Sequence, residues 1–142
     1  MKLAPLAGIA FLAVAAFGQH AEIGSPKPGA QITAGTSFTV EVDRPDTLTG
    51  SQEVAIVIGY QSCANSACRP PADGIQGVLY SGPFNPQFGP SGDGLPPHQN
   101  FDVTIPASTP KGTAQLTLYH FSLVAASMAP LFESSAVNIT LV

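Results

Sequence analysis

Residues 113–125 read TAQLTLYHFSLVA. Ala114, Leu116 and Leu118 fall on one side of an extended strand and Gln115 and Thr117 on the other, because successive side chains of a strand point to opposite faces of a sheet. Further along, the bulky apolar positions shift to Phe121 and Leu123, so the period slips near Tyr119 and His120. One extra residue in a strand exchanges its faces, and the pattern predicts a β-bulge at that point.

The same alternation appears on both sides of this stretch. SFTVEVD (37–43) sets Phe38, Val40 and Val42 against Thr39, Glu41 and Asp43, with QITAG (31–35) before it read as a turn. FDVTIP (101–106) points Phe101, Val103 and Ile105 inward, and AVNITLV (136–142) does so with Val137, Ile139 and Leu141. EVAIVIGY (53–60) is apolar on both faces, as suits a central strand under a second layer, and it places Ile56 inside. With IQGVLYS (75–81) and HAEIGSP (20–26) the count is seven short strands, without helical periodicity or internal repeat after the first residues. The class predicted is all-β, an immunoglobulin- or fibronectin-like β-sandwich, with a closed barrel as the runner-up. The Cys, Trp, Cys arrangement of antibody domains is missing, since the chain has no Trp. Residues 82–98, GPFNPQFGPSGDGLPPH, form a long loop rich in proline and glycine, and long ordered loops tend to carry function.

The chain opens MKLAPLAGIAFLAVAAFG, one Lys followed by an apolar run too short for a membrane span, which reads as a secretory signal peptide over 1–19. Cleavage is expected after residue 18 or 19, leaving 20–142 as a single soluble, monomeric domain released outside the cell, without a lipid anchor or membrane insertion. Losing Lys2 leaves nine acidic residues against four basic ones, a net charge of −5. Nucleic acid and anionic membrane are poor partners for such a surface. Cys63 and Cys68, an even and close pair in a secreted chain, are expected to form a disulfide that pins one loop.

Chemistry-bearing patterns are sparse. GPSGDG fails the nucleophile-elbow spacing and opens no helix, and Asp93 with Asp102 is only a loose carboxylate pair. Tyr80, Phe84 and Phe88 flank the long loop without the Trp platforms of a typical carbohydrate face. Asn138, in the sequon Asn138-Ile139-Thr140, is the glycosylation candidate. His20 would offer copper an amine and an imidazole if it became the mature terminus, with His98 or His120 as a second ligand. The small residues Ala16 and Gly18 instead favour Gln19 as the terminus, and an N-terminal Gln cyclises and loses its amine. His120, on a core strand, reads as a satisfied structural histidine, and no cofactor is expected.

Several stretches together resemble the NIS1 family of small secreted fungal effectors: residues 24–42, QEVAIVIGY, LYSGPFNPQF, and the run from NFDVTIPAS to the final LV. The resemblance spans nearly the whole mature chain, with VTIPAS, KG and FSLVAAS in order as its most specific part. It implies a non-enzymatic virulence protein that binds plant immune-receptor-associated kinases, suppresses pattern-triggered immunity and provokes cell death at high expression. No catalytic residues come with it. The Cys63–Cys68 loop and the insert at 82–97 depart from the pattern as elaborations. The expected contact regions are the long loop, through Phe84, Asn85 and Phe88, and the turn at 69–74, through Arg69. The alternative carried alongside is an apoplastic copper-binding or wall-associated protein using His20 and His98.

Overall fold

The computed structural model describes residues 20–46 and 50–142, and the signal peptide read from 1–19 lies outside them. Eight strands run through the described residues: β1 (Glu22–Ser25), β2 (Gln31–Ile32), β3 (Ser37–Asp43), β4 (Ser51–Ser62), β5 (Gly77–Gly82), β6 (His98–Thr104), β7 (Gly112–Val124) and β8 (Ala129–Leu141). They form two sheets, ordered β1-β3-β6 and β2-β8-β7-β4-β5. The fold is the all-β sandwich that the alternating pattern predicts. Two details differ from it. The segment read as a turn contains β2, which pairs in parallel with β8 through Gln31 opposite Thr140 and Ile32 opposite Leu141. The last strand also begins seven residues earlier than its apolar alternation, at Ala129 rather than Ala136.

Between the sheets, Val40 and Val42 of β3 and Phe101 and Val103 of β6 meet Ile56 and Ile58 of β4, Leu116 and Leu118 of β7, and Ile139 and Leu141 of β8. Tyr80 of β5 packs against Phe101 at a ring separation of 4.5 Å. Burying side chains of this size contributes about 1.5–3 kcal/mol each, enough to make this layer the main source of stability.

The bulge expected in β7 is absent. β7 and β8 pair without a register shift from Gly112 opposite Leu141 to Val124 opposite Ala129. Ala114, Leu116, Leu118, His120 and Ser122 all face inward and are buried, whereas Phe121 is exposed on the outer face and Leu123 is half-buried. What changes along β7 is the polarity of its inner face, while its period is kept. The bulge lies instead in the neighbouring strand, where β4 shifts register between Glu53 and Ala55.

The Cys63–Cys68 disulfide is formed and closes the loop after β4. That loop runs back over the outer face of the larger sheet. Its 3₁₀ turn, Pro71–Asp73, accepts a 2.5 Å hydrogen bond from the Tyr119 hydroxyl to the Pro71 carbonyl, and the Gln61 side-chain amide donates to the Arg69 carbonyl at 2.8 Å.

Candidate functional site

The bulge in β4 decides the chemistry of one end of the core. Ile58 lies opposite Leu118 and Ile56 opposite His120, so simple alternation would carry Val54 inward and Glu53 outward. The extra residue reverses this. Val54 is turned out to solvent, and Glu53 comes opposite Ser122 on the inner face, one step diagonally from His120. On the other side of β7, His120 lies directly opposite Glu133 of β8. Three adjacent strands thus place Glu53, His120 and Glu133 in a row between the sheets.

Both imidazole nitrogens of His120 face carboxylate oxygens: Nδ1 lies 2.7 Å from Glu133 Oε1, and Nε2 contacts Glu53 Oε2. The Arg44 Nε, just past β3, donates to Glu53 Oε1 at 2.9 Å, and the Ser51 hydroxyl donates to the same oxygen at 2.9 Å. His20 Nδ1 pairs with Glu133 Oε2, and the Ala21 amide donates to Glu133 Oε1 at 3.3 Å. The Phe84 ring stands edge-on to the imidazole, 5.7 Å away. Residues from both sheets are therefore joined through one histidine that is 1% exposed.

An ionised carboxylate accepts hydrogen bonds and donates none, so a ring held between two of them carries protons on both nitrogens. Burial alone would push the His120 pKa down, but the bonds to Glu53 and Glu133 outweigh it and hold the imidazolium above the ordinary histidine value. For Glu53 burial works upward, and the bonds from His120 and Arg44 overcome it, bringing its pKa down to about 2. The row is a charge-compensated brace. Its histidine has no nitrogen free to act as a base toward a hydroxyl.

Beside the brace lies an open groove of about 590 Å³, bounded by residues 44–46, 50–53, 84–88 and Pro97. Here the long loop is tied down at both ends. The Asn85 amide donates to Gln99 Oε1 at 2.8 Å, and Gln87 and His98 exchange backbone hydrogen bonds of 3.0 and 2.9 Å. Asn85 is exposed on the groove wall, and Phe88, 68% exposed, stands at its rim. Phe84 is a correction to the expected set of contact residues. Its ring is buried with Phe101 and His120 and belongs to the core.

The remaining expected positions are dispersed. Arg69 is exposed on the disulfide loop, where its Nε and backbone amide donate to Gln61 Oε1, and it does not line the groove. Asn138 is exposed on β8, and its side-chain oxygen accepts from Gln115 at 3.1 Å. His20 and His98, paired in the copper alternative, have different neighbours: His20 shares Glu133 with His120, while His98 Nδ1 faces the Pro96 carbonyl at 2.9 Å. Among the described residues no group of three or more His, Cys, Asp or Glu is arranged to hold a metal ion.

Arg44, Ser51, Glu53 and Glu133 were not singled out from the sequence. The signal that marks them is the inner face of β7 itself. Had Ala114, Leu116 and Leu118 been continued in phase, His120 would have appeared as a polar residue at a core position, which demands partners.

No curated protein sequence matches the chain. Among solved structures, a superoxide reductase (neelaredoxin) from Ignicoccus hospitalis is similar in fold, with a TM-score of 0.53 and 12% sequence identity over 92% of this chain and 86% of that one. At this identity the likeness concerns architecture alone. The model of the Nis1 family matches residues 16–140, nearly the whole length, and the chain belongs to that family.

Proposed function

We propose that this Nis1-family protein is a secreted fungal effector that acts by association, without turnover. It binds host proteins, with the plant immune-receptor-associated kinases implied by the family resemblance as the partner class, and so suppresses pattern-triggered immunity. The observation that carries the reading is the groove beside the brace. It is open, the loop that lines it is tied to β6 through Asn85 and Gln87, and Phe88 stands exposed at its rim. A solvent-facing aromatic next to a preformed concavity is the kind of residue that dominates association energies, and proline on both sides of it reduces the entropy lost on docking. Pull-down with purified kinase domains of plant receptor-associated kinases tests this. Phe88→Ala should lower capture by roughly tenfold or more with the melting temperature unchanged. Equal capture by wild type and variant, or none by wild type, would remove the groove from consideration.

A further inference from the structure

β4 has twelve residues, yet β5 pairs with it only from Ile56, opposite Gly82, to Tyr60, opposite Gly77. The next residue of the β5 chain is Pro83, which has no N–H to extend the ladder. The chain then leaves the sheet: Phe84 drops into the core, and Gln87 bridges to His98 of the other sheet. The first half of β4 is left without a neighbour on its β5 side.

Backbone pairing identifies the groups left open. Ala125 donates its amide to the Gly50 carbonyl at 2.9 Å, which makes Gly50 and Ala125 a hydrogen-bonded pair. Antiparallel ladders alternate, so Gln52 also turns its N–H and C=O toward β7, while Ser51 and Glu53 turn theirs away from it. The far end of the strand follows the same rule, since Tyr60, facing the β5 side, accepts the Gln76 amide at 2.9 Å. No hydrogen bond from another described residue reaches the main chain of Ser51 or Glu53 on the open side. This edge and residues 85–88 both line the groove.

We infer that the occupant of the groove is an extended segment of the partner protein, which adds to the sheet as a strand along residues 51–53, in the place that β5 vacates at Pro83. The inference rests on the reading of this groove as a protein-binding surface and specifies its mode. Main-chain N–H and C=O groups of the segment complete the ladder with Ser51 and Glu53, and its alternate side chains meet Pro86 and Phe88 on one side. Asp46 is exposed at the mouth, whereas the Arg44 and Glu53 side chains are bonded to each other. A basic residue in the segment is therefore favoured over an acidic one.

The probe is a synthetic peptide obtained by panning a phage-displayed random linear library on the full mature protein. Two measurements of its affinity decide the mode. Ser51→Pro removes the edge-facing N–H while sparing the β7 ladder, and it should bind at least tenfold more weakly than Ser51→Ala, which loses the same hydroxyl but keeps the N–H. Single N-methylation along the peptide should weaken binding at least tenfold at alternate residues and leave the intervening ones within about threefold. If Ser51→Pro fails to fold, the N-methyl scan alone decides. Loss of binding in Phe88→Ala together with uniform tolerance of N-methylation would overturn strand addition and leave the groove reading standing. Failure of the library to yield any peptide whose binding depends on Phe88 would count against both. A protein that is dimeric in solution and selects no peptide would assign the edge to a second copy of the chain and overturn the inference.

Discussion

The two halves of β7 bury their inner faces equally and by opposite means. Leu116 and Leu118 are fully enclosed among Ile56, Ile58 and Val42, and His120 is enclosed to the same degree two residues later. The apolar half is held by non-directional burial, which tolerates small shifts of one sheet over the other. The polar half is held by bonds with fixed donors and acceptors: Glu53 from β4, Glu133 from β8, Arg44 from the end of β3 and the His20–Ala21 segment leading into β1. Strong packing alone would leave the relative placement of the sheets and the N-terminal segment loosely determined. The brace supplies that placement at the end where the groove opens.

The largest contrast should come from cutting each half once. His120→Ala leaves the largely covered Glu53 and Glu133 carboxylates without the cation between them, Glu53 keeping only Arg44 as a cationic partner, and should cost about 3–5 kcal/mol in urea unfolding. Leu118→Ala, a cavity in the apolar half, should cost about 2–5 kcal/mol. A cost below about 1 kcal/mol for His120→Ala would mean that the row is not an ion-paired structure.

The pH dependence separates the halves more cleanly than their size. Because the folded pKa of His120 lies above the ordinary 6.5, its stabilisation is fully present below that value and is lost as the pH rises through the raised pKa. Glu53, lowered from 4.5 to about 2, contributes fully above pH 4.5 and loses its contribution as the pH falls toward 2. Asp43 is raised by burial and by its neighbours Glu41 and Glu22, so its ionisation also works against the fold as the pH rises from its ordinary 3.8 through the raised value. Thermal melts of the wild type should therefore be highest between about pH 4.5 and 6.5 and decline above. Leu118→Ala should show the same profile displaced downward, and His120→Ala should lose the alkaline decline.

The smallest effect should come from the outer face. A disulfide closing so short a loop restricts the unfolded chain by only about 2 kcal/mol, and Cys63 and Cys68 are remote from the brace. The Cys63→Ser, Cys68→Ser variant should melt several degrees lower with an unaltered pH profile. A changed profile would show that the loop and the brace are coupled through β4.

Strands β3, β6 and the apolar half of β7 were legible because each keeps one face greasy and the other polar. β2 was not, since two residues make no pattern, and Ile32 gains its place only from β8. The brace was hidden for a different reason. Val54, Ala55 and Ile56 are all apolar, so nothing in their order says that a bulge separates them and turns Glu53 inward. Phe84 and Phe88 sit four residues apart in the same proline-rich loop, and composition gave no means of telling that only Phe84 has a cavity waiting among Phe101 and His120. The expected bulge at Tyr119 and His120 hid the phase that puts His120 on the inner face, and with it the partners it needs.

The β7–β8 hairpin also bears on the order in which the chain organises itself. Its two thirteen-residue strands are joined by a turn in which Met128 donates its amide to the Ala125 carbonyl, and both residues adopt left-handed backbone angles, with φ of 51° and 59°. Contacts so close in sequence close quickly, whereas β3 must find β6 and β2 must find β8 across the other strands that lie between them in sequence. The hairpin already carries His120 opposite Glu133, but Glu53 and Arg44 arrive from elsewhere. An early hairpin thus holds one imidazole and one carboxylate, still in water, and the second carboxylate and the guanidinium must reach them before the site dries. Docking of β4 in its bulged register admits Glu53, whereas Arg44 comes only with the end of β3, so the site closes only when the second sheet is in place.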